Sequence, residues 1–194
     1  MTIKHFYIFR HGECPLNKSG YVQGQHFNGS LTEQGKLQAQ QTAERLKNKP
    51  ITLIVSSPLK RAVQTAQIIA AVIQAPIFVD HRFMEVNMGI VEGWHISLVE
   101  KNFSELYRKW QQDLSGQIRF PQGESKEEVR HRILDGLNDY ALHSSHSHIA
   151  VSTHGIVLSQ MLQYLGIRRS DIPNGAVLHL IYQPRSWKYF EFLV

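Results

Sequence analysis

TLIVSSPLKRAVQTAQIIAAVIQ, residues 52–74, changes its periodicity partway along. Leu53, Ile54 and Val55 form the short, nearly continuous apolar run of a strand lying inside a sheet. From Leu59 onward the apolar residues Ala62, Val63, Ala66, Ile69, Ala70 and Ile73 recur at spacings of three and four. That spacing predicts a helix over 58–74, with Ser57 as its cap and Pro58 at the first helical position.

The same alternation runs along the chain. HFYIF (5–9), PIFV (76–79), HIAVS (148–152) and VLHLIY (177–182) read as further strands. KYFEFLV (188–194) reads as a last one, joined to its predecessor through QPRSW as a hairpin. Residues 33–47 form a more polar helix, and HGIVLSQMLQYLG reads as a helix ending at Gly166. After Ser125, SKEE is a reciprocal capping pattern, followed by Val129, Ile133, Leu137 and Ala141 on one face. Strands alternating with helices predict a three-layer α/β domain with a largely parallel sheet. Residues 94–120, with five aromatics among long polar side chains, read as a helical insertion covering one end of that sheet.

Length and composition bound the class. The 194 residues suit one domain, read as 1–194, and 42% hydrophobic with 19% charged residues is ordinary for a globular protein. A net charge of +5 with eleven histidines favours anionic ligands, but the basic residues are scattered, which argues against nucleic acid. The single cysteine, Cys14, excludes an internal disulfide and a Cys-rich zinc site. No window reaches the roughly 18 apolar residues of a membrane span, and MTIKHFYIF lacks the apolar stretch of a signal peptide. A cytoplasmic location, with no membrane partner, is the expectation; nothing in the composition sets an oligomeric state.

In open α/β sheets, ligands bind outside the carboxyl ends of the strands. Three predicted strands deliver unusual polar residues there. The first runs into Arg10, His11 and Gly12, the second into a helix whose first turn carries Lys60 and Arg61, and a later one into His154 and Gly155. Brought to one edge, two arginines, two histidines and two helix N-termini would make a phosphate trap. RFMEVNMGIVEG (82–93) adds Glu85 and Glu92 beside glycines. Taken singly, each has an ordinary reading: a hydrogen-bonded strand-end histidine, a solvated helix arginine, a Glu85 paired with Arg82. Their coincidence at three strand ends is what argues for a site.

Rival signatures fail. The Cys-x5-Arg loop of cysteine phosphatases needs arginine at position 20, where Gly20 stands. A P-loop needs four residues between its glycines, and Gly29 and Gly35 are separated by five. HSSHSH (143–148) reads as a polar connection rather than a metal cluster, since no acidic or cysteine partner is close. Ser56, Ser57 and Ser152 lack the G-x-S-x-G context of a serine hydrolase.

These motifs together resemble the histidine phosphatase superfamily in its phosphoglycerate mutase-like branch. RHGE with Asn17 and Gln23-Gly24 resembles its opening, LTEQGKLQAQ its next helix, and SSPLKRAVQTA its second arginine motif. MEVNMGIVEG resembles its acidic motif, PQGESKEEVRHRI the segment after the insertion, and VSTHG its second histidine motif. The resemblance is ordered and spans residues 6 to about 180. It implies an α/β/α sandwich and a reaction through a phosphohistidine, with neither metal nor cofactor. His11 matches the nucleophile, Arg10 and Arg61 the phosphate-binding arginines, His154 the second pocket histidine and Glu85 the proton donor. Asn17, Gln23 and Gly24 match substrate-side positions. Cys14 stands where Ser or Thr is usual, Asn28 where Asp is common, and Ser30 where Pro often precedes the Leu-Thr pair.

The chemistry is consistent with these residue types. A histidine nucleophile must present an unprotonated nitrogen, and adjacent cations disfavour its charged form. Arginine stays charged and grips two oxygens at once. Glu85 would supply the proton that the leaving alkoxide needs, with Glu92 second in rank. The expected function is a phosphatase acting on small phosphorylated metabolites, with specificity placed in the 18–30 loop and around Phe103, Tyr107 and Trp110. Phosphoglycerate mutase-type transfer is the alternative, less favoured because the insertion has only about 27 residues. A non-catalytic phospholigand-binding module is the other.

Overall fold

The computed structural model describes residues 3–169, 171–183 and 186–194. Its strands are β1 (Lys4–Arg10), β2 (Leu53–Ser56), β3 (Ile77–Val79), β4 (His148–Thr153), β5 (Val177–Gln183) and β6 (Ser186–Leu193). Its helices are α1 (Pro15–Lys18), α2 (Glu33–Leu46), α3 (Lys60–Ile73), α4 (Ile96–Asn102), α5 (Ser104–Gln112), α6 (Lys126–His143) and α7 (Gly155–Tyr164). Short 3-10 turns lie at His81–Phe83 and Gly89–Val91. The strands form one sheet in the order β3-β2-β4-β1-β5-β6. The first four pair in parallel, and β5 and β6 close the edge antiparallel, as the sequence pattern predicts. The turn assigned to QPRSW includes residues 184 and 185, which lie outside the described residues.

Alternation along β1 builds the three layers. Phe6 and Ile8 face a core that includes Ile133 and Leu137 of α6 and Leu158 and Met161 of α7. Tyr7 and Phe9 face the other side, with Ala43 and Leu46 of α2 and Ala66 and Ile69 of α3. Each fully buried Phe or Ile contributes about 1.5–3 kcal/mol, so both faces of the central strand are committed to the interior. Only its carboxyl end is left to present chemistry.

The registers align three such ends. Arg10 of β1 pairs with Thr153 of β4, and Ser152 of β4 with Ser56 of β2. The ladder continues one residue further on each side, with His11 N–H donating to Thr153 O (2.9 Å) and Ser57 N–H to Ser152 O (3.0 Å).

The predicted helix over 58–74 starts two residues late, at Lys60. Asn28 explains the difference: its Oδ1 accepts from the Lys60 amide and supplies the capping bond from a distant loop. Ser57 Oγ still accepts from the Leu59 amide (3.3 Å), and it also pairs with His154 Nε2 (2.8 Å). The capping box at Ser125 forms as expected, with Ser125 Oγ accepting from the Glu128 amide and Glu128 returning the bond. HSSHSH joins α6 to β4 at the opposite end of the sheet, where His146 Nδ1 pairs with Thr52 Oγ1 (2.8 Å).

The insertion contains α4 and α5. Its start is stitched to the loop after α1: Val22 N–H donates to Trp94 O (2.9 Å), and Gly93 N–H to Val22 O (2.7 Å). Phe103 and Tyr107 pack against the main core rather than standing free, while Trp110 is buried under Lys126, whose Nζ lies 4.2 Å from the ring centroid. Trp110 also lines a cavity of about 520 Å³.

Backbone crosses backbone beside the nucleophile strand. A Cβ on Gly35 would meet Glu13 O at 2.0 Å, and one on Gly12 would meet Gly35 O at 2.2 Å. Gly35→Ala is expected to lower unfolding stability by about 1–3 kcal/mol through overpacking. Gly29→Ala, where nothing lies within 4 Å, is expected to change it little. Denaturant unfolding of the two variants side by side checks this, and equal midpoints would contradict it.

Candidate active site

The strand ends bring the two histidines together. The His11 and His154 rings lie 5.1 Å apart between centroids at an interplanar angle of 61°. Both are buried. Arg61 Nε donates to His11 Nε2 (3.2 Å), and His11 Nδ1 is 2.7 Å from Gly12 O. A guanidinium only donates and a carbonyl only accepts, so the tautomer follows. Nδ1 carries the proton, and Nε2 holds the lone pair. Burial first, then the Arg61 and Arg10 charges, push the His11 pKa well below the ordinary histidine range, against the opposing pull of the Gly12 carbonyl. The same causes, burial foremost and then Arg61, lower His154. Both rings are therefore neutral at physiological pH.

Arg61 is 1% exposed. Beyond its bond to His11 it donates from NH2 to Gly24 O (2.8 Å) and from NH1 to Phe27 O (3.0 Å). It is thereby anchored in the loop after α1. Arg10 donates from NH1 to Ile172 O in the segment between α7 and β5. Its Nε and His154 Nδ1 are buried with no hydrogen-bond partner among the described residues. Unpaired buried donors and acceptors are costly, and their concentration here marks a place suited to a polar ligand.

Glu85 reaches the same place from the segment after β3. Its Oε1 accepts from the Val86 amide (3.0 Å) and its Oε2 from the Ile156 amide at the start of α7 (3.4 Å). Its charge acts on Arg10 and on Arg61 alike, opposing the lowering that burial imposes on each guanidinium. The expected pairing with Arg82 does not form, because Arg82 binds Asp80 and Asp139. Glu92, ranked second as proton donor, is spent on structure. Its oxygens accept from the Met88, Gln25 and His26 amides and from His26 Nδ1. A Cβ on Gly24, at φ +51°, would strike Glu92 Oε1 at 1.7 Å, so the glycine admits this clamp.

The substrate-side candidates lie in one hydrogen-bonded chain. Asn17 Nδ2 donates to Asn174 Oδ1 (3.0 Å), and Asn174 Nδ2 donates to His11 O (2.8 Å). Cys14 is buried, and its Sγ donates toward Asn17 Oδ1 (3.0 Å) and lies 3.2 Å from Gln23 Oε1. The thiol thus does a hydroxyl's work, holding Asn17 and Gln23 together.

Several positioning residues carry no local sequence signal. Thr65 Oγ1 accepts from the Gly12 amide (3.1 Å). Arg132 donates from NH1 to Arg82 O and Met84 O (2.7 Å each) and from NH2 to Glu85 O (3.0 Å), while Glu124 pairs with its Nε (2.9 Å). Only the PQGESKEEVRHRI segment, which contains both Glu124 and Arg132, pointed their way. Among the described residues no three His, Cys, Asp or Glu side chains are placed to hold a metal ion, and no helix is long and apolar enough to cross a membrane.

Comparisons with known proteins follow this geometry. The family model for the histidine phosphatase superfamily (branch 1) matches residues 6–192. A Proteus mirabilis (strain HI4320) protein named probable phosphoglycerate mutase GpmB is 37% identical over 187 residues, covering 93% of this chain and 86% of its own. Among solved structures, a mycobacterial glucosyl-3-phosphoglycerate phosphatase complexed with VO3 has a TM-score of 0.84 at 22% identity, covering 96% of this chain and 97% of that one. A phosphoglycerate mutase from Bacillus anthracis str. Sterne has a TM-score of 0.87 at 20% identity, covering 97% and 92%. These two likenesses are of fold.

Two outcomes are expected. Stability is complete above about pH 6.5 and falls on acidification, because the unfolded chain takes up protons that folded His11 and His154 refuse. Each such group contributes a slope of about 1.4 kcal/mol per pH unit. Urea unfolding across that range reads the slope; a flat profile would contradict the burial argument. Arg132→Met is expected to lower turnover by loosening the Glu85 segment while leaving the pKa of His11, read by NMR titration, still depressed.

Proposed function

Given that this chain belongs to branch 1 of the histidine phosphatase superfamily, we propose that it hydrolyses small phosphomonoesters through a phosphohistidine on His11, without a metal. An enzyme of the histidine phosphatase type needs an uncharged nitrogen facing its substrate. The observation that carries the reading is His11 Nε2, whose lone pair is set by the Gly12 carbonyl on the far side of the ring. Among the described residues its one hydrogen bond is the 3.2 Å bond from Arg61, a long one that an arriving phosphate displaces by taking the guanidinium for itself.

Nε2 then attacks phosphorus, and the bond to the leaving oxygen breaks. Arg10, Arg61 and the unpaired side of His154 meet the equatorial oxygens, where in-line transfer spreads the charge. Glu85 gives the leaving alkoxide its proton. The resulting carboxylate takes a proton from water as that water attacks the phosphohistidine, and inorganic phosphate leaves with the site restored. Glu85 is only half-buried, so water reaches it without an opening step.

A mutase reading is favoured by the name of the Proteus mirabilis relative, and it uses the same first step. It differs in returning the phosphoryl group to a bound intermediate. The shortness of the insertion, whose helices α4 and α5 span seven and nine residues, supports water as the acceptor.

His11→Ala is expected to abolish p-nitrophenyl phosphate turnover, and Glu85→Gln to reduce it about 10²–10⁴-fold for substrates with poor leaving groups. Activity is expected to survive a chelator. Phosphate release measured against 3- to 2-phosphoglycerate conversion separates the two readings, and mutase flux well above hydrolysis would overturn the hydrolytic one.

A further inference from the structure

A neutral imidazole carries one ring proton, and the partners of its two nitrogens decide where that proton sits. In His154, Nε2 lies 2.8 Å from Ser57 Oγ, while Nδ1 is buried with no partner among the described residues. Both residues stand on fixed backbone. Ser57 N–H donates to Ser152 O (3.0 Å), and Ser57 O accepts from Ser56 Oγ (2.8 Å). His154 joins β4 to α7, and its carbonyl accepts from the Leu158 amide (3.1 Å).

The Ser57 hydroxyl decides the tautomer. Ser57 is fully buried, and a serine hydroxyl offers one proton and two lone pairs. One lone pair accepts from the Leu59 amide (3.3 Å). Among the described residues, His154 Nε2 is the one acceptor placed to take the proton. If Nε2 carried the ring proton instead, the Ser57 O–H and the Nδ1 lone pair would both be buried without partners. With the hydroxyl donating, only Nδ1–H is left unpaired, and buried polar groups favour the arrangement that leaves fewest unmade. A second unpaired donor lies close by. A Cβ on Gly155, the next residue, would sit 3.4 Å from Arg10 Nε, which is likewise buried without a partner among the described residues. Neighbouring donors of this kind match the oxygens of a phosphate dianion, which only accept.

Resting on the hydrolytic reading, we infer that Ser57 is a positioning residue whose hydroxyl holds His154 as the Nδ1–H tautomer, making a neutral ring a donor to the transferring phosphoryl group. The two histidines then share a tautomer and do opposite work. In His11 the Gly12 carbonyl takes the Nδ1 proton and leaves the Nε2 lone pair for phosphorus. In His154 the Ser57 hydroxyl occupies the Nε2 lone pair and leaves Nδ1–H for oxygen. The donor is in place before charge develops, so the transfer needs no reorganisation there. Because the ring stays uncharged, it offers that hydrogen bond without adding another cation beside His11.

Long-range proton–nitrogen NMR correlations of His154 in the free protein read the tautomer without turnover. The parent is expected to show a protonated Nδ1 and an unprotonated Nε2, and the reverse pattern would overturn the inference. The parent spectrum decides this even where a variant does not fold. Ser57→Ala is expected to mix the two tautomers and to lower both inorganic phosphate affinity and kcat for p-nitrophenyl phosphate about tenfold to a hundredfold. Ser57→Thr, which keeps the hydroxyl, is expected to restore the parent pattern and most of the rate. Asn28→Ala removes a capping bond from the start of α3 without touching this pair, and is expected to leave the His154 pattern unchanged. A pattern disturbed equally in Asn28→Ala would assign the effect to the helix start and sink the proposal, as would a Ser57→Ala protein that keeps the parent pattern. Parent turnover is followed in parallel. Its absence beside a protonated Nδ1 overturns the hydrolytic reading and supports the hold of Ser57 on the ring; normal turnover beside the reverse pattern does the opposite.

Discussion

The bond between Arg61 and His11 is the interaction on which the rest of the site depends. A guanidinium that is 1% exposed must place its N–H groups on acceptors, because an unpaired buried charge costs several kcal/mol. Here one donor goes to His11 Nε2 and two go to carbonyls of the loop after α1. One cation therefore adds to burial in keeping the imidazole uncharged and ties down the loop that carries Gln23 and Gly24. An anion entering the site competes for a group that already organises it.

Carboxylates of similar local context have been given different work by burial and partners. Glu92 accepts four N–H donors and holds two loops together. Glu124 neutralises Arg132, which in turn grips the carbonyls of residues 82, 84 and 85. Glu85 keeps two backbone donors among the described residues, one of them long, and its charge acts on both arginines. The least engaged of the three is the one suited to moving a proton. Cys14 shows the same dependence on surroundings, since its thiol stands in for a hydroxyl between Asn17 and Gln23.

The sheet divides labour along its length. The carboxyl ends of β1, β2 and β4 present His11, Ser57 and His154, and the shared register keeps them within reach of one another. The amino ends hold a second group of histidines, with His5 stacked on His148 (4.6 Å) and paired to His179 (3.0 Å). Burial lowers all three pKa values, so acidification strains that end of the sheet as well.

Periodicity in the sequence was enough to place all six strands, the main helices and the three layers, because alternation and three-to-four spacing are local records of what each face buries. The RHGE, SSPLKRA, MEV and VSTHG motifs pointed to His11, Arg61, Glu85 and His154, which lie in the segments that follow β1, β2, β3 and β4. What local pattern could not carry was who meets whom. Arg61 lies 50 residues from His11, Asn28 caps a helix 32 residues away, and Arg132 supports Glu85 from 47. The start of α3, the structural duty of Glu92 and the packing of Phe103 and Tyr107 were decided by those long-range contacts. Hydrogen bonds and charge pairs across such distances exist only once the layers have closed, so the tertiary structure alone sets which of several competent side chains is left free to act.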